Sequence, residues 1–197
     1  LEDLSTNPNF SFIRHDITKP LPEIEKIDRV YHLASPASPN HHSPISYHKL
    51  AMETMLANTT GTLHLLQLAE KHSARFLFAS TSEVYGDPLV NPQPETYLGN
   101  VSTTGPRAVY DEAKRFGETL ISYFIREKNV DARIVRIFNT YGPNMHPQDY
   151  RMVPSFILQA LKNEPMSMFG DGTQTRSLCY VSDTVEGLIA LMELENG

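Results

Sequence analysis

Apolar residues along this chain fall into short blocks, and the make-up of each block predicts the element it forms. Residues 10–15, with Phe10, Phe12 and Ile13, predict a short strand that ends before a connection broken by Pro20 and Pro22. Val30, Tyr31 and Leu33 predict a second strand over residues 29–34, running into a Ser-Pro-Ala-Ser-Pro stretch that suits neither strand nor helix. Residues 41–47 are expected to form an exposed loop. From 49 to 72, Leu50, Leu56, Leu63, Leu66 and Ala69 recur at helical spacing, although Thr59-Thr60-Gly61 weakens the middle. Phe76, Leu77 and Phe78 form the near-continuous apolar run of a strand buried on both faces of a parallel sheet, over 75–80. A proline-rich loop follows from 88 to 106, then an amphipathic helix over 108–128.

The remainder repeats the pattern at shorter range. A strand is predicted over 131–139, a helix over 152–161, short strands over 166–169 and 177–181, and a last helix to about residue 194. Asp183, with Glu186 three residues on, is the expected cap of that helix. Strands alternating with helices give an α/β chain with a parallel sheet covered on both sides. Beyond Tyr141-Gly142-Pro143 the elements shorten, so residues 1–145 are expected to form the core domain and 146–197 the start of a smaller, substrate-covering lobe.

Composition narrows the function classes. A hydrophobic content of 40% and aromatics of 9% are those of a globular protein. The net charge of -6, with no lysine or arginine block, leaves no footprint for nucleic acid or an anionic membrane. No apolar run approaches the ~20 residues that span a bilayer. Cys179 is the single cysteine, which rules out an intrachain disulfide and favours a reducing, cytoplasmic compartment. The chain opens at Leu1 and not at a methionine, so the natural protein is expected to extend beyond it at both ends. His41, His42 and His48 lack the cysteine or paired carboxylates of a zinc site, and no metal is expected. Cys179 is expected to be a small buried residue, and Met145, Met152, Met166 and Met168 to serve packing.

Candidate chemistry sits in two places. Tyr110 and Lys114, four residues apart on one helix face, bring an ammonium to a phenol, and such a charge favours the phenolate. A phenol tuned downward can take a proton from a sugar hydroxyl. On its own the pair equally describes a surface lysine beside a half-buried tyrosine. The second place is Ser80-Thr81-Ser82-Glu83-Val84-Tyr85-Gly86, directly after the apolar strand. Ligands of open α/β sheets bind beyond the carboxyl ends of strands. A hydroxyl-hydroxyl-carboxylate cluster there can hold a sugar and shuttle a proton, or simply close a strand. Together the two places favour chemistry.

These residues resemble the extended short-chain dehydrogenase/reductases that modify nucleotide sugars. The matching runs are His32-Leu-Ala-Ser35, Asn58-Thr-Thr-Gly-Thr62, Ser80 to Gly86, Tyr110 to Lys114, Arg136 to Pro143, Gly170 to Arg176 and Tyr180 to Asp183, in the family's order. The resemblance implies a Rossmann-like doubly wound sheet and NAD as cofactor. Within the family, the runs from His32 to Pro39, Thr81 to Tyr85 and Tyr110 to Arg115 look most like the branch that decarboxylates UDP-glucuronate to UDP-xylose. Ser82 points the same way, because related 4,6-dehydratases carry an aspartate there to expel a 6-hydroxyl. A serine is too weak an acid for that step. Another epimerase or dehydratase of the family, or a non-catalytic NAD-binding module, are the alternatives.

By the resemblance, Tyr110, Lys114, Thr81, Glu83 and Ser82 are catalytic. Asp16, Ile17, Leu33, Ser35, Ala79 and Thr140 join Tyr110 and Lys114 around NAD, and Asn139, Arg151 and Arg176 meet the nucleotide sugar. A homodimer through the 108–128 helix is expected, with Phe116, Leu120, Tyr123 and Phe124 as candidates for core or interface. The family's Gly-x-x-Gly-x-x-Gly phosphate turn does not occur among the ten glycines. Weak NAD binding by the 197 residues alone is therefore expected.

Overall fold

The computed structural model describes residues 4–146, 149–168 and 170–195. Its centre is a three-stranded parallel sheet in the order β1 (Arg29–His32), β2 (Arg75–Thr81), β3 (Ala132–Ile137). Val30 pairs with Phe76 and Phe78 with Ile134, so β2 is the middle strand and is covered on both faces. Its side chains alternate accordingly. Phe76 and Phe78 enter one core with Leu66, Ala69, Ile121 and Phe124, whereas Leu77 enters a second with Leu188 and Met192. Each such side chain removed from water contributes roughly 1.5–3 kcal/mol. The first core belongs to α2 (Thr62–His72) and α3 (Ala108–Lys128), the second to α5 (Val181–Glu193). Helices on both faces of a parallel sheet make this a doubly wound, Rossmann-like fold.

The 49–72 region forms one nearly continuous helical run, and the weak middle has a defined shape. α1 (Ala51–Leu56) passes through a π turn (Ala57–Gly61) into α2. Thr59 and Thr62 return their hydroxyls to the carbonyls of Met55 and Asn58, a competition with the helix ladder that goes with distortion. Gly61 leaves room for Ile17: a Cβ there would lie 2.8 Å from Ile17 Cδ1, so that side chain would have to shift. α3 ends at Asn129, whose φ of 55° is a left-handed cap that a short polar residue tolerates.

The amino ends of the strands are tied to the carboxyl end of α5. Arg75 donates to the Met192 carbonyl at 2.7 Å, buried Arg133 donates to the Leu194 carbonyl, and Arg29 pairs with Glu193 at 2.7 Å. Cations there satisfy terminal carbonyls and oppose the helix dipole. A second, two-stranded parallel sheet pairs β4 (Asn139–Tyr141) with β5 (Leu178–Tyr180). Between them lies α4 (Met152–Leu161), at the predicted position.

Several expectations are corrected. Residues 10–15 form no strand: Phe12 and Ile13 are exposed, and a strand without a neighbour has nothing to bond its backbone. The 41–47 segment is not simply exposed, because Ser43, Ser46 and Tyr47 are fully buried and Ser38 bridges to Ser46. Met166 to Met168 form no strand, and Phe169 lies outside the described residues. Tyr180, not Asp183, occupies the cap position of α5; Asp183 lies in its first turn. Cys179, Met152, Met166 and Met168 are exposed, on the less covered part of the chain after β4.

Candidate active site

Three elements converge at the carboxyl end of β2. The strand delivers Ala79, Ser80 and Thr81, and the next residues turn into a single 3-10 helix, Ser82–Tyr85, capped by Thr81 Oγ1, which accepts the Glu83 amide at 3.2 Å. α3 crosses this end with Tyr110 and Lys114 both buried on its inner face. It approaches closely because Gly117 is glycine: a Cβ there would lie 2.7 Å from Phe78 Cζ. The loop between β1 and α1 supplies Tyr47, whose ring lies 4.9 Å from that of Tyr110 and 8° from parallel.

Lys114 Nζ donates to the Ala79 carbonyl at 2.6 Å and sits 4.6 Å above the Phe78 ring. Burial lowers its pKa to about 7, so near neutral pH the amine is only partly charged. Tyr110 does not follow the expectation of a lowered pKa. Its burial, against Tyr47, raises the phenol above the usual tyrosine value, and Asp111 adds to the rise. The Thr81 hydroxyl, which hydrogen-bonds the phenol, and the charges of Arg151 and Arg107 oppose it. Lys114 is directed at a carbonyl and is only partly charged, and the charges that offset the rise of the phenol are those of Arg151 and Arg107. Buried Asp111 is itself pushed up to about 6 by desolvation.

The remaining predicted residues divide by position. Glu83 is ion-paired with Arg107 at the head of α3. Ser82 is half-buried in the 3-10 turn. Arg151 reaches Ala37 O at 2.6 Å and Asp149 at 2.9 Å, which brings its charge close enough to act on Tyr110. Asn139 donates to Ser177 O at 3.2 Å, just ahead of β5, and Thr140, paired with Cys179 in the sheet, shares a side-chain hydrogen bond with Thr184 of α5 at 3.1 Å. Arg176 is exposed on the run leading into β5, donating to the carbonyl of Thr175.

On the other side of the sheet end, Leu33 is 55% exposed just past β1, not core. Ser35 accepts from Asn58 Nδ2 at 2.8 Å, and among the described residues the Oδ1 of that buried asparagine has no hydrogen-bond partner. The π turn is what aims Asn58 at Ser35. Asp16 spends its carboxylate on its own turn, accepting from the Thr18 amide at 2.9 Å and hydroxyl at 2.8 Å. Ile17 packs on Gly61, and its carbonyl meets His64 at 2.9 Å.

Two residues that motif reading missed complete the cluster: Tyr47 and Arg107. A further network braces it from behind. Arg136 forms a two-pronged pair with Glu118, at 3.0 and 2.8 Å, and donates to the Tyr85 hydroxyl at 2.8 Å, while Ser80 donates to Glu118 at 2.6 Å. The result is a buried phenol, hydrogen-bonded to a threonine, beside a carboxylate and a neutralisable amine, an arrangement suited to moving a proton at an alcohol.

Comparison with known proteins places this geometry. A match to the NAD dependent epimerase/dehydratase family extends over residues 4–197. The chain is 53% identical over 191 residues to UDP-glucuronic acid decarboxylase 2 of Arabidopsis thaliana, covering 97% of this chain and 41% of that protein. It is 51% identical over 184 residues to UDP-glucuronic acid decarboxylase 1 of Xenopus tropicalis, covering 93% and 42%. The chain thus spans about half the length, or less, of the curated relatives it matches. Among solved structures, UDP-glucuronic acid 4-epimerase from Bacillus cereus, in complex with UDP-glucuronic acid and NAD, superimposes with a TM-score of 0.79 at 29% identity, over 99% of this chain and 59% of that one.

Proposed function

The chain belongs to the NAD dependent epimerase/dehydratase family, and from that premise we propose that it takes part in the NAD-dependent decarboxylation of UDP-glucuronate to UDP-xylose through a 4-keto sugar. The observation that carries the reading is the buried Tyr110 phenol, stacked on Tyr47 with the Thr81 hydroxyl acting on it, at the strand end where α/β sheets bind ligands. The relatives named as decarboxylases support it.

The residues present fit the nicotinamide riboside end of NAD. The unpartnered Asn58 Oδ1, the exposed Leu33 and the Ser35 hydroxyl lie past β1, and Lys114 and Ala79 lie at the end of β2. Thr140 belongs beside them. Asp16 and Ile17 would face the adenine end. When bound, NAD supplies the hydride acceptor, and later donor, for C4 of the sugar.

Tyr110 Oη takes the proton of the 4-hydroxyl as phenolate, while Thr81 Oγ1 lies beside the 4-oxygen. Burial opposes that form, and the Thr81 hydroxyl and the charges of Arg151 and Arg107 favour it. A carbonyl at C4 is an electron sink next to C5, so the C5–carboxylate bond breaks and CO2 leaves. Glu83 and Ser82 position the ring and relay a solvent proton to the C5 carbon that CO2 has left, and Tyr110 gives its proton back to the 4-oxygen when C4 is reduced again. Lys114 Nζ orients the ribose. No 6-hydroxyl has to leave, so a serine at position 82 suffices. Arg176 grips the diphosphate, with Asn139 and Arg151 against the nucleotide sugar. The division at residues 145 and 146 and a cytoplasmic setting are parts of the same reading.

The proposal includes a homodimer. Phe124 is core and Leu120 packs against it, but Phe116 and Tyr123 leave 49% and 45% of their surface exposed on α3. Sedimentation of Phe116→Glu beside the parent tests that face. Proton NMR of UDP-glucuronate incubated with the protein and NAD tests the activity. UDP-xylose with release of CO2 is expected. A product that keeps its carboxylate, inverted at C4 or not, refutes the reading.

A further inference from the structure

We propose that Arg107 is a positioning residue that couples the two halves of the site, its backbone starting the helix that carries Tyr110 and its side chain holding the Glu83 carboxylate. The proposal deepens the reading of Tyr110 as the base and of Glu83 as its neighbour on the substrate.

The backbone half is local. Arg107 occupies the cap position of α3, and its carbonyl accepts the Tyr110 amide at 2.9 Å and the Asp111 amide at 3.1 Å. The side-chain half crosses to another element, where the guanidinium pairs with Glu83 in the 3-10 turn after β2. Tyr110 and Glu83 therefore share one residue as anchor. A slide of α3 along its axis would break either the first turn of the helix or the ion pair. Arg115, two turns further on, donates to Val84 O at 2.9 Å and Leu98 O at 2.8 Å, which pins the same turn through backbone. Arg107 is the one of the two that grips a side chain of the site.

Charge gives the anchor a second effect. The groups that bear on the Tyr110 phenol are Thr81 at the end of β2, Tyr47 from the β1–α1 loop, Asp111 and Lys114 on α3, Arg151 before α4, and Arg107 itself. Arg107 stands between two carboxylates, Glu83 and Asp111. With Arg107 in place, the negative charge of the turn is offset. Without it, the charge of Asp111 on the phenol is unopposed from this side and Glu83 loses the guanidinium that holds it, so ionising Tyr110 becomes harder. A guanidinium suits this place because it stays charged at every working pH and offers a planar fork of donors. A lysine would keep the charge and lose the fork.

The opposite signs expected of two variants make the test. The protein is labelled with carbon-13 at the tyrosine ring carbon bearing oxygen, and the Tyr110 resonance is identified by its loss in Tyr110→Phe. In Arg107→Met the Tyr110 titration midpoint is expected to rise, since one of the charges that favours the phenolate is gone. In Glu83→Gln, which leaves the Arg107 charge unopposed, it is expected to fall. Arg107→Lys should stay nearer the parent. Turnover of UDP-glucuronate by Arg107→Met should drop on the order of 10- to 100-fold with KM little changed, and Arg107→Lys should recover part of it. Midpoints that stay at the parent value, or that move in the same direction in both variants, overturn the proposal and leave Arg107 a residue of the fold alone. If Arg107→Met does not fold, the fall in Glu83→Gln decides. The titration needs neither substrate nor NAD, so a failure to decarboxylate UDP-glucuronate would count against the proposed function and not against this anchor.

Discussion

Tyr47 lies flat against Tyr110, 4.9 Å between ring centres and 8° from parallel, and is itself 1% exposed. Tyr110 is thus held on one side by its own helix and on the other by a loop in which Ser38 bridges to Ser46.

Removing that second wall should loosen the phenol. Tyr47→Leu is expected to cost roughly 1–3 kcal/mol of stability, from the lost stack and the void it leaves. Tyr47→Phe keeps the ring and removes only the buried hydroxyl, which lies beside Arg107, so it should cost less than Tyr47→Leu. Urea unfolding of both variants checks the pair. Equal losses in both would show that the hydroxyl, and not the stack, matters.

Gly117 offers a test of the close crossing of α3 over β2. In an exposed helix, glycine to alanine gains about 1 kcal/mol. Here the new Cβ would meet Phe78 Cζ at 2.7 Å and Asn58 O at 3.3 Å, so the sign reverses. Gly117→Ala is expected to destabilise by about 1–3 kcal/mol, read as a lowered urea midpoint with unchanged slope.

Lys114 gives a pH dependence. Its pKa is lowered from 10.5 to about 7 by burial. Between those values the unfolded lysine binds a proton that the folded one does not, so its share of stability rises with pH across the window. Below about 7 the full penalty of burying the charge is present. Lys114→Met should therefore unfold at higher urea than the parent at pH 7, with the gap narrowing by pH 9. A constant gap, or one that widens, contradicts the burial of the amine.

Much of this layout is legible in the sequence. The helices over 108–128 and 152–161 follow from long apolar periodicity, and β2 from a run apolar enough for both faces. Residues 10–15 have the composition of a strand, yet strand formation depends on a neighbour that composition cannot supply. The motif residues Thr81, Tyr110 and Lys114 were found because their spacing is local to one turn or one helix. Tyr47 and Arg107 were not. A ring stacked across 63 positions of chain, from Tyr47 to Tyr110, and an ion pair from Arg107 back to Glu83 leave no periodic mark. The direction of the Tyr110 pKa was missed for the same reason: the spacing to Lys114 is visible, but the burial that outweighs it is not.

The closed redox loop at C4 is the centre of the account, and one isotope experiment addresses it directly. UDP-glucuronate carrying deuterium at C4 is converted with NAD in light water, and the product is read by NMR. The account predicts UDP-xylose that retains deuterium at C4, because hydride leaves and returns to the same carbon, with its new C5 hydrogen from solvent. Loss of the C4 label to solvent, or retention of the carboxylate in the product, would contradict it.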